Sequence, residues 1–180
     1  MSGHSVNMMK MRVTMRASLS SVLDTTVDYD RRTQWDPNLY DFRVLEQTPC
    51  KRYRRIYYAF RSPPTVADRD FHLCEHFRKD YPEPGMYTLY VKSLPIDDER
   101  FPEIPKKIRA NLIVIGFVFK ARFDTDLQRE VTDVFFVNCL DIMGSVPKWM
   151  QNTAAKSIPK GWFLQFEKEC QRYETEQKLA

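Results

Sequence analysis

The chain has 180 residues, a length that suits one domain with a sizeable core, and its 43% apolar and 13% aromatic content excludes a disordered chain. Twenty-eight basic against 24 acidic residues give a net charge of +4. The basic residues are dispersed, which argues against a nucleic-acid partner and suits plain solubility or brief contact with an anionic membrane.

Residues 9–15 alternate Met and Val with Lys10, Arg12 and Thr14, the pattern of a strand with one solvated face. Ser18 offers an N-cap to a helix whose apolar stripe runs through Leu19, Val22, Leu23, Thr26 and Val27. The stripe fades over residues 28–32, and the helix should end before the Trp35-Asp36-Pro37-Asn38 turn, because Pro37 disfavours helical geometry at Asp36. From Tyr40 the period becomes two. Phe42 and Val44 open one strand; the next puts Arg54, Ile56, Tyr58 and Phe60 on one face, with Tyr53, Tyr57 and Ala59 on the other.

Pro63-Pro64 breaks that run, residues 71–77 begin another strand, and the turn at 82–85 leads into residues 86–92. Residues 94–107, with Pro95, Pro102 and Pro105 among charges, read as a surface loop. Residues 108–122 and 130–140 read as two long strands joined at Asp124-Thr125-Asp126. Gly144, Ser145 and Pro147 then signal a helix starting near Val146, whose stripe includes Trp149, Met150, Trp162, Phe163, Phe166 and Cys170, with a kink expected at Pro159. Strands lie between a short helix and a long one, so the fold class is α+β, one curved antiparallel sheet wrapped around the long C-terminal helix. The domain should span residues 9–177, behind a flexible tail of residues 1–8.

Little here points to chemistry. Cys50, Cys74, Cys139 and Cys170 form no CxxC pair and read as free thiols. His72, Cys74 and His76 would share one face of a strand, but a fourth ligand is missing, so no metal is expected. The five glycines stand singly, which excludes a phosphate-cradling loop, and no GxSxG elbow occurs, so neither a cofactor nor an enzyme is signalled. Asp68, Arg69 and Asp70 suit a structural clamp, with Arg69 bridging carboxylates and backbone carbonyls. The start of the chain shows no apolar leader, and the longest apolar run, residues 112–119, is too short to span a bilayer, which reads as cytoplasmic.

Arg32, Gln34-Trp35-Asp36-Pro37, Ala67-Asp68-Arg69-Asp70-Phe71, Ile108-Arg109-Ala110, Asp141 and the Gly144-Ser145-Val146-Pro147-Lys148-Trp149 run follow one another along the chain. The series resembles a START (StAR-related lipid transfer) domain, and Arg32-x-Gln34-Trp35-Asp36 is most similar to the phosphatidylcholine transfer protein branch of that family. The resemblance implies a helix-grip fold with an internal lipid tunnel, and an intracellular protein that binds or transfers one lipid without catalysis. It implies Arg32 as the phosphate ligand, Tyr58 and Phe71 as aromatics of a choline cage, and Trp35, Arg109 and Trp149 as further ligand-binding residues. Ile113 and Ile115 fall where the branch has a cage tyrosine and a phosphate-binding glutamine, and Thr26 falls where it has another phosphate-binding tyrosine. These departures speak against a phosphocholine headgroup in particular; with Arg32 in place a phospholipid of another headgroup is the favoured ligand, with sterol and ceramide kept open.

The resemblance also implies transient contact with a membrane surface, and entry gated near residues 63–67 and at the C-terminal helix. The family's first helix and first two strands are expected to have no counterpart here, and a monomer with a shortened sheet edge is expected ahead of a dimer. The alternatives are a cyclase-like enzyme on the same architecture, or a module holding a small ligand or a protein. His72, His76 and Asp70 separate these readings by whether they converge inside the fold.

Overall fold

The computed structural model describes residues 8–95, 104–146 and 160–179 in full, and residues 148–159 as helical backbone. The elements in chain order are β1 (Met8–Met15), α1 (Leu19–Val27), α2 (Tyr29–Trp35), β2 (Leu39–Gln47), β3 (Tyr53–Phe60), β4 (Asp68–Lys79), β5 (Met86–Ser93), β6 (Lys107–Arg109), β7 (Asn111–Asp124), β8 (Arg129–Asp141) and α3 (Lys148–Leu179). Seven strands form one path, β1-β8-β7-β5-β4-β3-β2, antiparallel at every step. The three helices lie against one face of this curved sheet, which makes the other face convex.

Alternation in the strands decides which side chains face the helices. Ile56, Tyr58, Phe71, Leu73, Leu89, Val91, Phe117, Phe119 and Val134 turn inward and join Phe163, Phe166 and Cys170 of α3 in one core. Their opposite neighbours, such as Tyr53, His76 and Tyr90, lie on the convex face. Carboxylates then tie α1 down at its start. Glu130 accepts from the Leu19 N–H at 2.8 Å and Glu174 accepts from the Ser18 N–H at 2.6 Å, while Ser18 caps the helix by accepting from Ser21 N.

Four expectations change. The single first helix is two, because the Asp28 carboxylate accepts from Arg31 N at 3.1 Å and restarts the helix as α2 on a new axis. That break carries Tyr29 and Arg32 toward the sheet. The strand expected over residues 108–122 is interrupted at Ala110, whose N–H bonds to Asp70 O at 3.0 Å. Lys107–Arg109 is thereby peeled off as β6, a short parallel partner for residues 68–70 of β4. Parallel pairing in turn extends β4 back to Asp68, three residues ahead of its expected start. Lys107, expected in the surface loop, joins β6, and the side chains of Trp149 and Pro159 lie outside the described residues. Among the described residues, no helix is long and apolar enough to cross a membrane.

Candidate lipid headgroup site

Arg32 stands in the last turn of α2, and its side chain is 19% exposed on the inner face of the sheet. Its guanidinium lies over the Tyr58 ring, 5.3 Å from the centroid, and over the Trp162 ring of α3 at 5.6 Å. Hydrogen bonding to it is loose: Nη1 is 3.5 Å from the Tyr58 hydroxyl, Nη2 is 3.5 Å from Asp36 Oδ2, and the buried Nε has no partner among the described residues. Charge-assisted bonds normally close to about 2.7–2.9 Å, so this cation is held in place with much of its donor capacity unspent. Burial works to lower its pKa, yet the negative potentials of Tyr58, Asp36, Tyr29 and Glu75 leave it above the ordinary arginine value. Arg32 is therefore a cation at any physiological pH.

Two same-face rungs along β3 from Tyr58, another arginine, Arg54, is buried and matched. The Arg54 guanidinium meets Glu75 Oε1 at 2.6 Å through Nη2 and 2.8 Å through Nε, and it stacks over Tyr29 at 4.9 Å. The Tyr29 hydroxyl donates to Glu75 Oε2, which completes the carboxylate. Burial, followed by the neighbouring Tyr58 and Glu75, raises the Tyr29 pKa well above its usual value; burial also raises that of Tyr58, with Arg32 pulling the other way. Both phenols stay protonated, able to donate as well as accept. The contrast between the two arginines separates a structural ion pair from a site with capacity to spare.

Around Arg32 runs an aromatic wall. Tyr58 contacts Phe42 at 5.3 Å and Phe60 at 5.9 Å, and Phe60 meets Phe71 edge-on at 5.8 Å. Trp35 stacks on Phe166 at 5.7 Å and lies 5.5 Å from Trp162, whose Nε1 donates to Asp36 Oδ2 at 3.2 Å. The Trp35 indole N–H is buried without a partner among the described residues, as is the Oδ1 of Asn138 on β8, a residue flanked by the core-packed Phe136 and Leu140. Arg32, Trp35, Tyr58 and Phe71 are thus brought to one region of the inner face.

Arg109 is placed elsewhere. Its guanidinium makes a two-point pair with Asp70, 3.0 Å on each side, and Asp70 alternates away from Phe71. His72 shares that outer orientation, with Nε2 3.3 Å from Arg55 Nη2, while His76 is exposed and Cys74 lies buried between them. No metal-binding cluster is present among the described residues. Arg69 donates to the carbonyls of Ala67, Ile142 and Met143 and joins β4 to the end of β8, a clamp made through backbone carbonyls and not through the carboxylates expected beside them. Thr26 is turned back onto its own helix, bonded to Val22 O at 2.6 Å. A groove of about 600 Å³ between α1, the β7–β8 turn and the end of α3, lined by Ser20, Asp24, Arg129 and Tyr173 among others, shares no residue with the Arg32 group.

The START domain model matches residues 2–175. The chain belongs to the START domain family. No curated protein matches it, whereas several solved START structures share its fold. Human STARD10 superposes with a TM-score of 0.80 at 20% identity, covering 97% of this chain and 67% of that one. Human StAR-related lipid transfer protein 5 gives 0.75 at 16% identity, with 93% and 77% covered. A fragment of the STAR-related lipid transfer protein from Xanthomonas axonopodis gives 0.70 at 20%, with 91% and 85% covered. At these identities the superpositions speak for the helix-grip fold, while membership of the family makes this a lipid-binding domain.

Sequence reasoning singled out Arg32, Trp35, Tyr58 and Phe71 and passed over their inner-face neighbours Tyr29, Arg54, Glu75 and Asn138. A signal for three of these existed. Arg54 is on the same strand face as Tyr58, Glu75 on the same face as Phe71, and Tyr29 is three residues before Arg32. Asn138 carried none, being one polar residue inside an otherwise ordinary strand.

Proposed function

We propose that this START domain is a non-catalytic, cytoplasmic carrier that holds one phospholipid, or a similar amphiphile with an anionic group, against the inner face of the sheet. The supporting observation is the Arg32 guanidinium, a partly buried cation with an unpartnered buried Nε and two 3.5 Å contacts. A phosphate oxygen approaching Nε and one Nη would convert that loose arrangement into a forked pair, which arginine's planar geometry favours. Acyl chains would lie on the Phe60, Phe71 and Phe117 side, where each methylene removed from water contributes about 0.8 kcal/mol. Trp35 Nε1 can donate to a phosphate or ester oxygen, and Asn138 Oδ1 can accept from an amide or hydroxyl. Uptake and delivery call for transient contact with a membrane.

The position of Asp70 and His72 favours a carrier over an enzyme. Both alternate away from the Tyr58 and Phe71 face, and both have basic neighbours, so the acid and the imidazole that a cavity reaction needs are not together inside. The test is native mass spectrometry after incubation with mixed liposomes. A single phospholipid retained by the wild-type chain and lost from a folded Arg32→Ala variant is the expected result. A retained sterol or ceramide, insensitive to Arg32, would overturn the phospholipid reading.

A further inference from the structure

On the convex face, two rungs of paired residues run side by side across the strands. One reads Tyr53, His76, Tyr90, Gly116, Val137 and Lys10; the next reads Arg78, Thr88, Val118, Phe135 and Arg12. Tyr53 is 36% exposed, Tyr90 39% and Phe135 40%, with Val118 and Val137 half-buried between them. The centre is flat for a local reason. A Cβ on Gly116 would come within 2.9 Å of Val137 Cγ1, so the glycine lets Val137 lean across β7 and fill the middle. Around this apolar strip stand Lys10, Arg78, Lys92 and Lys120, exposed and without a carboxylate partner among the described residues. Among the described residues, Asp133 at the strip is held by Arg12 at 3.0 Å, and Glu46, beside Tyr53, is held by Arg55 at 2.9 Å.

We propose that this strip is a docking surface for an amphipathic helix with an apolar face and acidic flanks. Apolar contact along the centre and unpaired cations along the rim call for that combination. From Tyr53 on β3 to Val137 on β8 the strip crosses four strand spacings, about 19 Å at roughly 4.8 Å each. A helix of about 13 residues spans that length at roughly 1.5 Å per residue.

Other occupants fit less well. A second copy would set the same cations against each other. A flat bilayer touches a convex, twisted sheet along a line and does not reach the half-buried valines, whereas a rod can lie along the twist. RNA would need free ring faces; Phe135 is covered by the Arg12 guanidinium at 5.0 Å from its centroid, and valines do not stack on bases. The strip is on the face opposite Arg32, so its occupant is independent of the lipid.

The test uses fluorescence anisotropy with a designed 18-residue helical peptide carrying leucines at i, i+3, i+4 and i+7 and glutamates on both flanks. The expected result is saturable binding that weakens about tenfold in Tyr90→Ser/Phe135→Ser, about tenfold in Lys92→Glu/Lys120→Glu, and steeply with added salt. Each variant should keep the wild-type circular dichroism spectrum. No saturable binding, or equal binding of the same peptide with lysine flanks, overturns the proposal. Sedimentation with phosphatidylserine vesicles, binding of an oligouridine, or a doubled mass in light scattering, if abolished by the same variants in place of peptide binding, overturns it in favour of a membrane, RNA or a second copy.

Discussion

Replacing Arg32 should separate binding from stability, and the structure supplies the magnitude. In the free protein the guanidinium makes two 3.5 Å contacts and leaves Nε unpartnered, and the buried Asp36 keeps the Trp162 indole N–H at 3.2 Å and the Asn38 N–H at 3.3 Å, so Arg32→Ala removes little that stabilises the fold and relieves the cost of burying a cation. A shift of less than about 1 kcal/mol in either direction is expected. Two charge-assisted hydrogen bonds to a phosphate, at roughly 1.5–3 kcal/mol each, should be lost from the complex. At 1.4 kcal/mol per tenfold change, that is a loss of affinity of about 100-fold or more. The assay is transfer of a fluorescent phospholipid between vesicles, with equilibrium titration, beside urea melts of both proteins. Arg32→Lys should recover little, since an ammonium cannot reproduce the fork. A folded Arg32→Ala chain that transfers phospholipid at the wild-type rate would refute the reasoning, and so would a variant that does not fold.

Arg54→Gln should behave in the opposite way, costing about 3–5 kcal/mol of stability because it strands Glu75 beside Tyr29, as chemical denaturation would show. Arg109→Ala should destabilise by a similar amount through the orphaned Asp70, while leaving the lipid affinity of the folded fraction unchanged in the same titration. Asp133 supplies a pH test. Burial raises its pKa, but Thr14, Arg12 and Arg122 more than offset that and leave it below the ordinary carboxylate value. A depressed carboxylate contributes stability that is present above its unfolded pKa, about 4, and is lost as pH falls through the folded value. The stability gap between wild type and Asp133→Asn should therefore be constant from pH 7 to 5 and shrink below pH 4; a gap that widens in acid would reverse the sign.

The elements themselves were legible because the forces that make them are local. Alternation of Met and Val with Lys10, Arg12 and Thr14 needs only the two-residue period of a strand, and the apolar steps through Trp162, Phe163, Phe166 and Cys170 need only helical periodicity. Arg32, Trp35 and Phe71 lie in an ordered set of short motifs, and Tyr58 was singled out by the resemblance those motifs carry, not by periodicity. What the chain alone did not reveal is which polar groups meet. The β3–β4 register sets Arg54 opposite Glu75 and Tyr58 opposite Phe71, and the Asp28 cap swings Tyr29 and Arg32 onto that face. Pairing between strands is a contact between distant segments, and its register depends on turns and on what the opposite face must bury. The same holds for Arg109. Its motif marked it as functional, yet the parallel pairing of β6 with β4 delivers it to Asp70. The sequence by itself determined a sheet and a long helix, and its resemblance to the family singled out Arg32 as the cation expected beside them. Only the tertiary structure decided that Arg54 is matched and Arg32 is not, because hydrogen-bond satisfaction depends on distances that no local pattern encodes.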